Sequence, residues 1–178
     1  MGKPVKKRYQ KPKITVQKLR SGIWGAGGRC LALGTKISSL KGRIAVERLK
    51  KNDLVWTVDA RGNKMLQPII RIKKTYVGNS HIICSLFLSD KRQISVSPLH
   101  PLFSEQSAVK DLKKGDIYND AMVIKNEIQF YRSFYTFDIL PAGESGAYFA
   151  NGILLGSTLF RSRHQPCEKS SAPDYFVQ

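Results

Sequence analysis

One stretch of this chain occurs twice. Ala45-Val46-Glu47-Arg48-Leu49-Lys50-Lys51-Asn52-Asp53-Leu54-Val55 is matched 63 residues later by Ala108-Val109-Lys110-Asp111-Leu112-Lys113-Lys114-Gly115-Asp116-Ile117-Tyr118, with six of eleven positions identical. Each copy runs through an apolar pair, a polar step, a leucine, two lysines and a turn with aspartate, then enters a strand. Asn52 and Gly115, just ahead of the aspartates, suit a tight turn that needs positive φ. Apolar and turn positions are repeated together, and chance similarity in a lysine-rich chain would not couple them. Two copies at half-domain spacing predict a pseudo-two-fold arrangement.

The sequence around the copies predicts strands. Short apolar runs rich in Val, Ile, Tyr, Phe and Thr alternate with turn signals. They cover residues 43–46, 54–58, 69–72, 81–88, 93–96, 121–124, 134–140, 148–150 and 153–155. Many short strands and no long amphipathic helix indicate an all-β domain. At 42% hydrophobic residues the chain can bury a core. No apolar run reaches the length of a membrane span, and no apolar segment follows the basic start, so synthesis in the cytoplasm is expected.

Charge divides the chain. Residues 1–29 hold nine Lys/Arg and no Asp or Glu, which is +9 of the formal +17; the remaining +8 is spread over 149 residues. With Pro4, Pro12 and a glycine-rich end, residues 1–29 read as a basic arm, a solvated tail that is also suited to nucleic acid or an acidic partner. Residues 30–158 read as the folded domain and 159–178 as a flexible flank. The three cysteines, Cys30, Cys84 and Cys167, form neither a disulfide framework nor a CxxC metal motif. No metal or cofactor is expected, and the chain is expected to be a monomer.

Any chemistry must then come from one cysteine and distant helpers. Cys30 stands where the glycine-rich arm meets the first strand, so the preceding carbonyl can approach its sulfur. Ser97-Pro98-Leu99-His100 ends a strand, and its hydroxyl and imidazole can converge on one peptide bond. Asp138 lies in the otherwise apolar stretch Phe134–Leu140, a costly place for a carboxylate without a partner or a use. That stretch and Tyr148–Leu155 read as a hairpin through Gly143–Gly146, with Asn151-Gly152 as a turn. Cys84 reads as core, and His81, His164 and Cys167 show no partners in sequence.

These residues together resemble one family. Cys30–Ile37 with Gly42–Leu49 is similar to the opening block of Hint domains, which inteins, bacterial intein-like domains and hedgehog autoprocessing domains share. Ser97-Pro98-Leu99-His100 is similar to their Thr-x-x-His block, with Ser in place of Thr. Tyr148–Leu154 resembles the closing block. The resemblance covers about 129 residues, Cys30 to Thr158. It implies a pseudo-symmetric β horseshoe that acts once on its own flank. Cys30 would attack the Arg29 carbonyl in an N-to-S shift. Ser97 and His100 would distort the amide and protonate its nitrogen. Asp138 would assist thioester resolution or pair with Cys30.

The departures are specific. Inteins end in His-Asn before a Cys, Ser or Thr, whereas this chain has Gly156 and Ser157 before Thr158. Without the cyclising Asn, splicing should stall, although Thr158 retains an acceptor hydroxyl. The carboxylate with which hedgehog domains activate a sterol is missing, since that region reads Ile72-Lys73-Lys74-Thr75. The expected function is single-turnover cleavage or acyl transfer of the arm to water, a thiol or an amine. The alternative is an inactive Hint-fold binding protein that grips nucleic acid or an acidic partner through its arm.

Overall fold

The computed structural model describes residues 29–103 and 107–160. The expected arm before Arg29 and the flank beyond Phe160, with His164 and Cys167, lie outside the described residues. Eleven strands are present: β1 (Lys36–Ser39), β2 (Gly42–Ala45), β3 (Leu54–Val58), β4 (Lys64–Tyr76), β5 (Ile82–Leu88), β6 (Gln93–Val96), β7 (Ile117–Tyr118), β8 (Ala121–Phe130), β9 (Tyr135–Pro141), β10 (Ala147–Ala150) and β11 (Ile153–Gly156). Among the described residues the only helical elements are two 3₁₀ turns, Val46–Arg48 and Val109–Asp111. The all-β expectation holds, and no described helix is long and apolar enough to cross a membrane.

The strands form two sheets. The larger runs β11-β10-β1-β3-β4-β9 with β2 paired to β1, and the smaller runs β6-β5-β8-β7. The segment after Cys30 joins them. Leu31 bridges Val96 at the end of β6 and Phe137 in β9. Its amide donates to the Phe137 carbonyl at 2.7 Å and its carbonyl accepts from the Phe137 amide at 3.0 Å. Ala32 donates to Ser95 at 3.1 Å, and Ser97 donates to the Cys30 carbonyl at 2.8 Å. Leu31 is fully buried among Ile37, Val55, Ile69, Leu86, Val96 and Ile139. Burying an aliphatic side chain of this size contributes roughly 1.5–3 kcal/mol, which pins this segment in the seam.

The sequence repeat is a structural repeat. Val46 and Val109 open the two 3₁₀ turns and are buried, and Leu49 and Leu112 close them with bonds of 3.3 Å to Val46 and Val109. Asp53 accepts the Lys50 amide at 2.8 Å, as Asp116 accepts that of Lys113 at 2.7 Å. Asn52 and Gly115 occupy the left-handed region at φ 74° and 99°. Strand β3 then pairs with β4 and β7 with β8.

One expectation needs correction. The stretch around Asp138 and that around Tyr148 do not pair as a hairpin. Strand β9 pairs with β4, whereas β10 pairs with β1 and β11. The hairpin is β10–β11, turning at Asn151 (φ 51°) and Gly152 (φ 79°), as two-residue hairpin turns require. Of the flank expected from Leu159, only Leu159 and Phe160 are among the described residues. The amides of Leu159 and Phe160 donate to Ser157 at 3.0 and 3.3 Å, and the Phe160 ring lies over Gly146.

Candidate active site

The seam places Cys30 between the end of β6 and the middle of β9. The thiol is buried, and its pKa is raised chiefly by that burial and further by the nearby Asp138 charge. The hydroxyls of Thr136 and Thr75, cross-strand partners in β9 and β4, face the sulfur and favour its thiolate, as does Lys73. Neither hydroxyl has a hydrogen bond of ordinary geometry. They stand ready to meet charge on sulfur while burial keeps the group a thiol.

Beyond β6 the chain turns sharply, with the His100 amide donating to the Ser97 carbonyl at 2.9 Å. The Val109 amide donates to the His100 carbonyl at 2.9 Å, so the second repeat copy fixes this turn. His100 is fully buried. Its Nδ1 lies 3.0 Å from the Arg29 carbonyl oxygen, which can only accept, so Nδ1 carries a proton. The ring therefore contacts the oxygen of the Arg29–Cys30 peptide rather than its nitrogen. Burial lowers the His100 pKa, against the opposing influence of Asp138 and the Arg29 and Gly156 carbonyls, which favour the cation. Burial dominates, and the ring is neutral at pH 7.

Tyr148, which the sequence does not single out as a site residue, stands between His100 and Asp138. Its hydroxyl lies 3.3 Å from His100 Nε2 and donates to Asp138 Oδ1 at 2.7 Å. The phenol is fully buried, and burial followed by the Asp138 charge raises its pKa well above the ordinary value. Asp138 is fully buried too, and its partners explain how an apolar strand tolerates it. Oδ1 also accepts the Ile139 amide at 2.8 Å. Oδ2 accepts the Thr158 amide at 2.7 Å, the Thr158 hydroxyl, and the Ser157 hydroxyl at 3.4 Å. No Cys30–Asp138 hydrogen bond forms. The carboxylate holds the C-terminal junction instead.

Ser97 is buried, and its Oγ lies 3.0 Å from His81 Nε2. His81 thus has a partner that its sequence position, 16 residues upstream, did not reveal. Cys84 is core as expected: it is fully buried, and its thiol is pushed up to about 12. No group of three or more His, Cys, Asp or Glu among the described residues could hold a metal ion. Cys30, Ser97, His100, Asp138 and Thr158 thus lie in one network around the seam, joined by Tyr148 and His81.

No protein-family model matches the sequence, and no curated protein does either. Solved structures match at the level of fold. A bacterial intein-like domain from Clostridium thermocellum is 15% identical with a TM-score of 0.63, over 72% of this chain and 98% of that one. The PabCDC21-1 intein is 15% identical with a TM-score of 0.62, over 72% and 98%. A DnaB intein from Synechocystis sp. PCC 6803 is 14% identical with a TM-score of 0.59, over 73% and 99%. With its two sheets, its repeated turn-and-strand units and the seam that seats Cys30, the chain has the Hint fold of inteins and intein-like domains.

Proposed function

We propose that this domain activates the Arg29–Cys30 peptide bond by an N-to-S acyl shift and thereby releases the segment before Cys30. The observation that carries this reading is the 3.0 Å contact from His100 Nδ1 to the Arg29 carbonyl oxygen. Cys30 first loses its proton to solvent base, and its sulfur attacks the Arg29 carbonyl carbon. Negative charge develops on the oxygen that His100 Nδ1–H already touches, so the donor stabilises the tetrahedral intermediate without reorganising. The C–N bond then breaks, the Cys30 nitrogen takes a proton back from solvent to become a free amine, and a thioester joins Arg29 to Cys30. Thr75, Thr136 and Lys73 offset part of the cost of a buried thiolate. Water, a small thiol or an amine then takes the acyl group.

The C-terminal junction supports cleavage or acyl transfer rather than splicing. Thr158 is held by Asp138 through both its amide and its hydroxyl, so an acceptor oxygen is present. Release of the flank needs an amide side chain that attacks its own carbonyl, and the hydroxymethyl group of Ser157 cannot form a cyclic imide.

Intact mass of the purified chain, followed with and without a strong thiol or hydroxylamine, tests this. We expect residues 1–29 to leave and a fragment beginning at Cys30 to remain. Cys30→Ala protein should stay whole. Folded wild-type protein of unchanged mass after prolonged incubation, or loss of the arm from Cys30→Ala at the same bond, would overturn the reading.

A further inference from the structure

We infer that His81 fixes the orientation of the Ser97 hydroxyl beside Cys30, and so acts as a positioning residue for the cleavage proposed above, on which this inference rests. The contact is His81 Nε2 to Ser97 Oγ at 3.0 Å. The Ser97 backbone already holds the Cys30 carbonyl, which belongs to the peptide after the scissile one, so a hydroxyl fixed at this position is fixed relative to Cys30.

His81 is itself held firmly. Its carbonyl accepts the Tyr131 amide at 2.8 Å, and its ring meets the Tyr131 ring edge-on, with centroids 5.9 Å apart. Tyr131 in turn belongs to the seam: its hydroxyl accepts the Leu33 amide at 2.7 Å and donates to the Tyr135 carbonyl at 2.8 Å. The imidazole is therefore referenced to the turn that follows Cys30 and to the start of β9. Half-burial lowers its basicity, and a neutral ring either accepts the Ser97 proton or donates its own. In either tautomer one side of the Ser97 oxygen is committed to His81, and the rest of its hydrogen-bonding capacity faces elsewhere. A serine, which lacks the γ-methyl that restricts a threonine, has more rotamer freedom for an outside partner to remove.

The test combines cleavage kinetics with a direct reading of the bond. Thiol-induced release of the arm is timed by mass for wild type, Ser97→Ala, His81→Leu, His81→Gln and the His81→Leu/Ser97→Ala double variant. We expect His81→Leu to slow release about tenfold, the effect of losing one net hydrogen bond. The double variant should be no slower than Ser97→Ala alone, because both changes remove one device. His81→Gln, whose amide reaches the Nε2 position, should restore most of the rate. Independent effects that multiply, a His81→Leu rate equal to wild type, or a folded His81→Gln protein as slow as His81→Leu would overturn the inference. In Cys30→Ala protein, which cannot cleave, the imidazole ¹⁵N shifts of His81 report the bond itself. Ser97→Ala should move the Nε2 shift, and no movement would overturn the positioning whatever the kinetics. A wild-type chain that keeps its arm while this shift moves would instead sink the cleavage reading and leave the His81–Ser97 bond standing.

Discussion

The two ends of this domain meet in one buried network but are equipped differently. At the N-terminal junction the carbonyl of Arg29 faces a protonated ring nitrogen, and the neighbouring sulfur is backed by two hydroxyls and a lysine. At the C-terminal junction Asp138 receives three bonds from Ser157 and Thr158, yet residue 156 has no side chain to donate and residue 157 no amide to cyclise. One end has groups placed to change a bond, and the other has groups placed to hold a segment. On the proposed reading, the first step of self-processing is equipped here and the last is not. Cys30 sits in the seam between sheets, whereas residues 156–158 lie at the end of β11 and just after it.

The largest way to break this contrast is at His100. On the proposed reading His100→Ala removes the oxyanion donor and should slow thiol-induced release by roughly 10²–10⁴, measured by intact mass over time. Asp138→Ala, at the holding end, should chiefly cost stability. It leaves Tyr148, Ser157 and Thr158 donors unpaired in a buried site, for a loss of roughly 2–4 kcal/mol in denaturant unfolding. If His100→Ala cleaves at the wild-type rate, or Asp138→Ala is as stable as wild type, the division of labour between the two junctions is wrong.

Acidity sharpens the same comparison. The Cys30 pKa is raised by burial, so the thiolate fraction grows with pH, and release should accelerate from about pH 7 to about pH 9. Stability should move otherwise. The pKa values of His100 and His81 are depressed in the folded chain, so the unfolded chain binds more protons just below the ordinary His value of about 6.5. Their contribution is present above that value and is lost as pH falls from it through the lower folded values. The raised thiols of Cys30 and Cys84 contribute stability that is present below the ordinary Cys value of about 8.5 and is lost above it. A thermal midpoint that is flat from pH 5 to pH 10 would contradict the burial of these groups.

Much of this was legible in the sequence. The repeat at residues 45–55 and 108–118 foretold matching turns because its aspartates and positive-φ residues do local work. Strands β3 and β6 match their apolar runs residue for residue. The runs at 69–72 and 121–124 fell short of β4 and β8, since those strands continue through exposed polar residues such as Lys73, Lys125 and Gln129, which carry no apolar signal. Cys30, Ser97 and His100 were found through resemblance to a motif. Asp138 stood out as a carboxylate in an apolar strand. Tyr148 and His81 were not found, because an aromatic in a strand and a lone histidine ordinarily indicate nothing. Tyr148 meets Asp138 because β9 pairs with β4 and not in the expected hairpin, and His81 meets Ser97 because β5 pairs with β6. Such long-range placement leaves no periodicity to read.

A smaller effect is expected at the clamp on the C-terminal flank. Gly146 has φ 59°, and a Cβ there would lie 2.2–2.5 Å from Cγ, Cδ2 and Cβ of Phe160. Those atoms are the root of the ring rather than its mobile tip, so Gly146→Ala must displace the segment. The Gly146 carbonyl accepts the Ser157 amide at 2.7 Å, so the disturbance reaches the junction. We expect a loss of roughly 1–2 kcal/mol, including the left-handed backbone penalty, with faster amide exchange at Thr158 and an unchanged rate of arm release. Slower arm release would mean that the two ends are coupled more tightly than their separate equipment implies.

The smallest effect is expected from restoring the missing pair. Gly156→His with Ser157→Asn places an imidazole and a cyclisable amide where inteins carry them. Space at residue 156 is confined: a Cβ would meet the Leu102 carbonyl oxygen at 3.4 Å and Pro101 Cγ at 3.5 Å. The first carbon fits in ordinary contact, but the ring must then extend past a proline whose backbone is tied to β11 by the Gly156 amide. At residue 157 the new amide also displaces the hydroxyl that accepts the Leu159 amide and approaches Asp138. Asp138 would still hold the Thr158 amide, the leaving nitrogen of the bond to be cut. We therefore expect the double variant to give a minor fragment ending in a cyclic imide at residue 157, formed more slowly than the arm is released. A product joining Arg29 directly to Thr158 should be absent from wild type. Its appearance in wild type, or C-terminal release from the double variant as fast as arm release, would show that the C-terminal junction has kept working geometry and that only two side chains separate this domain from a splicing one.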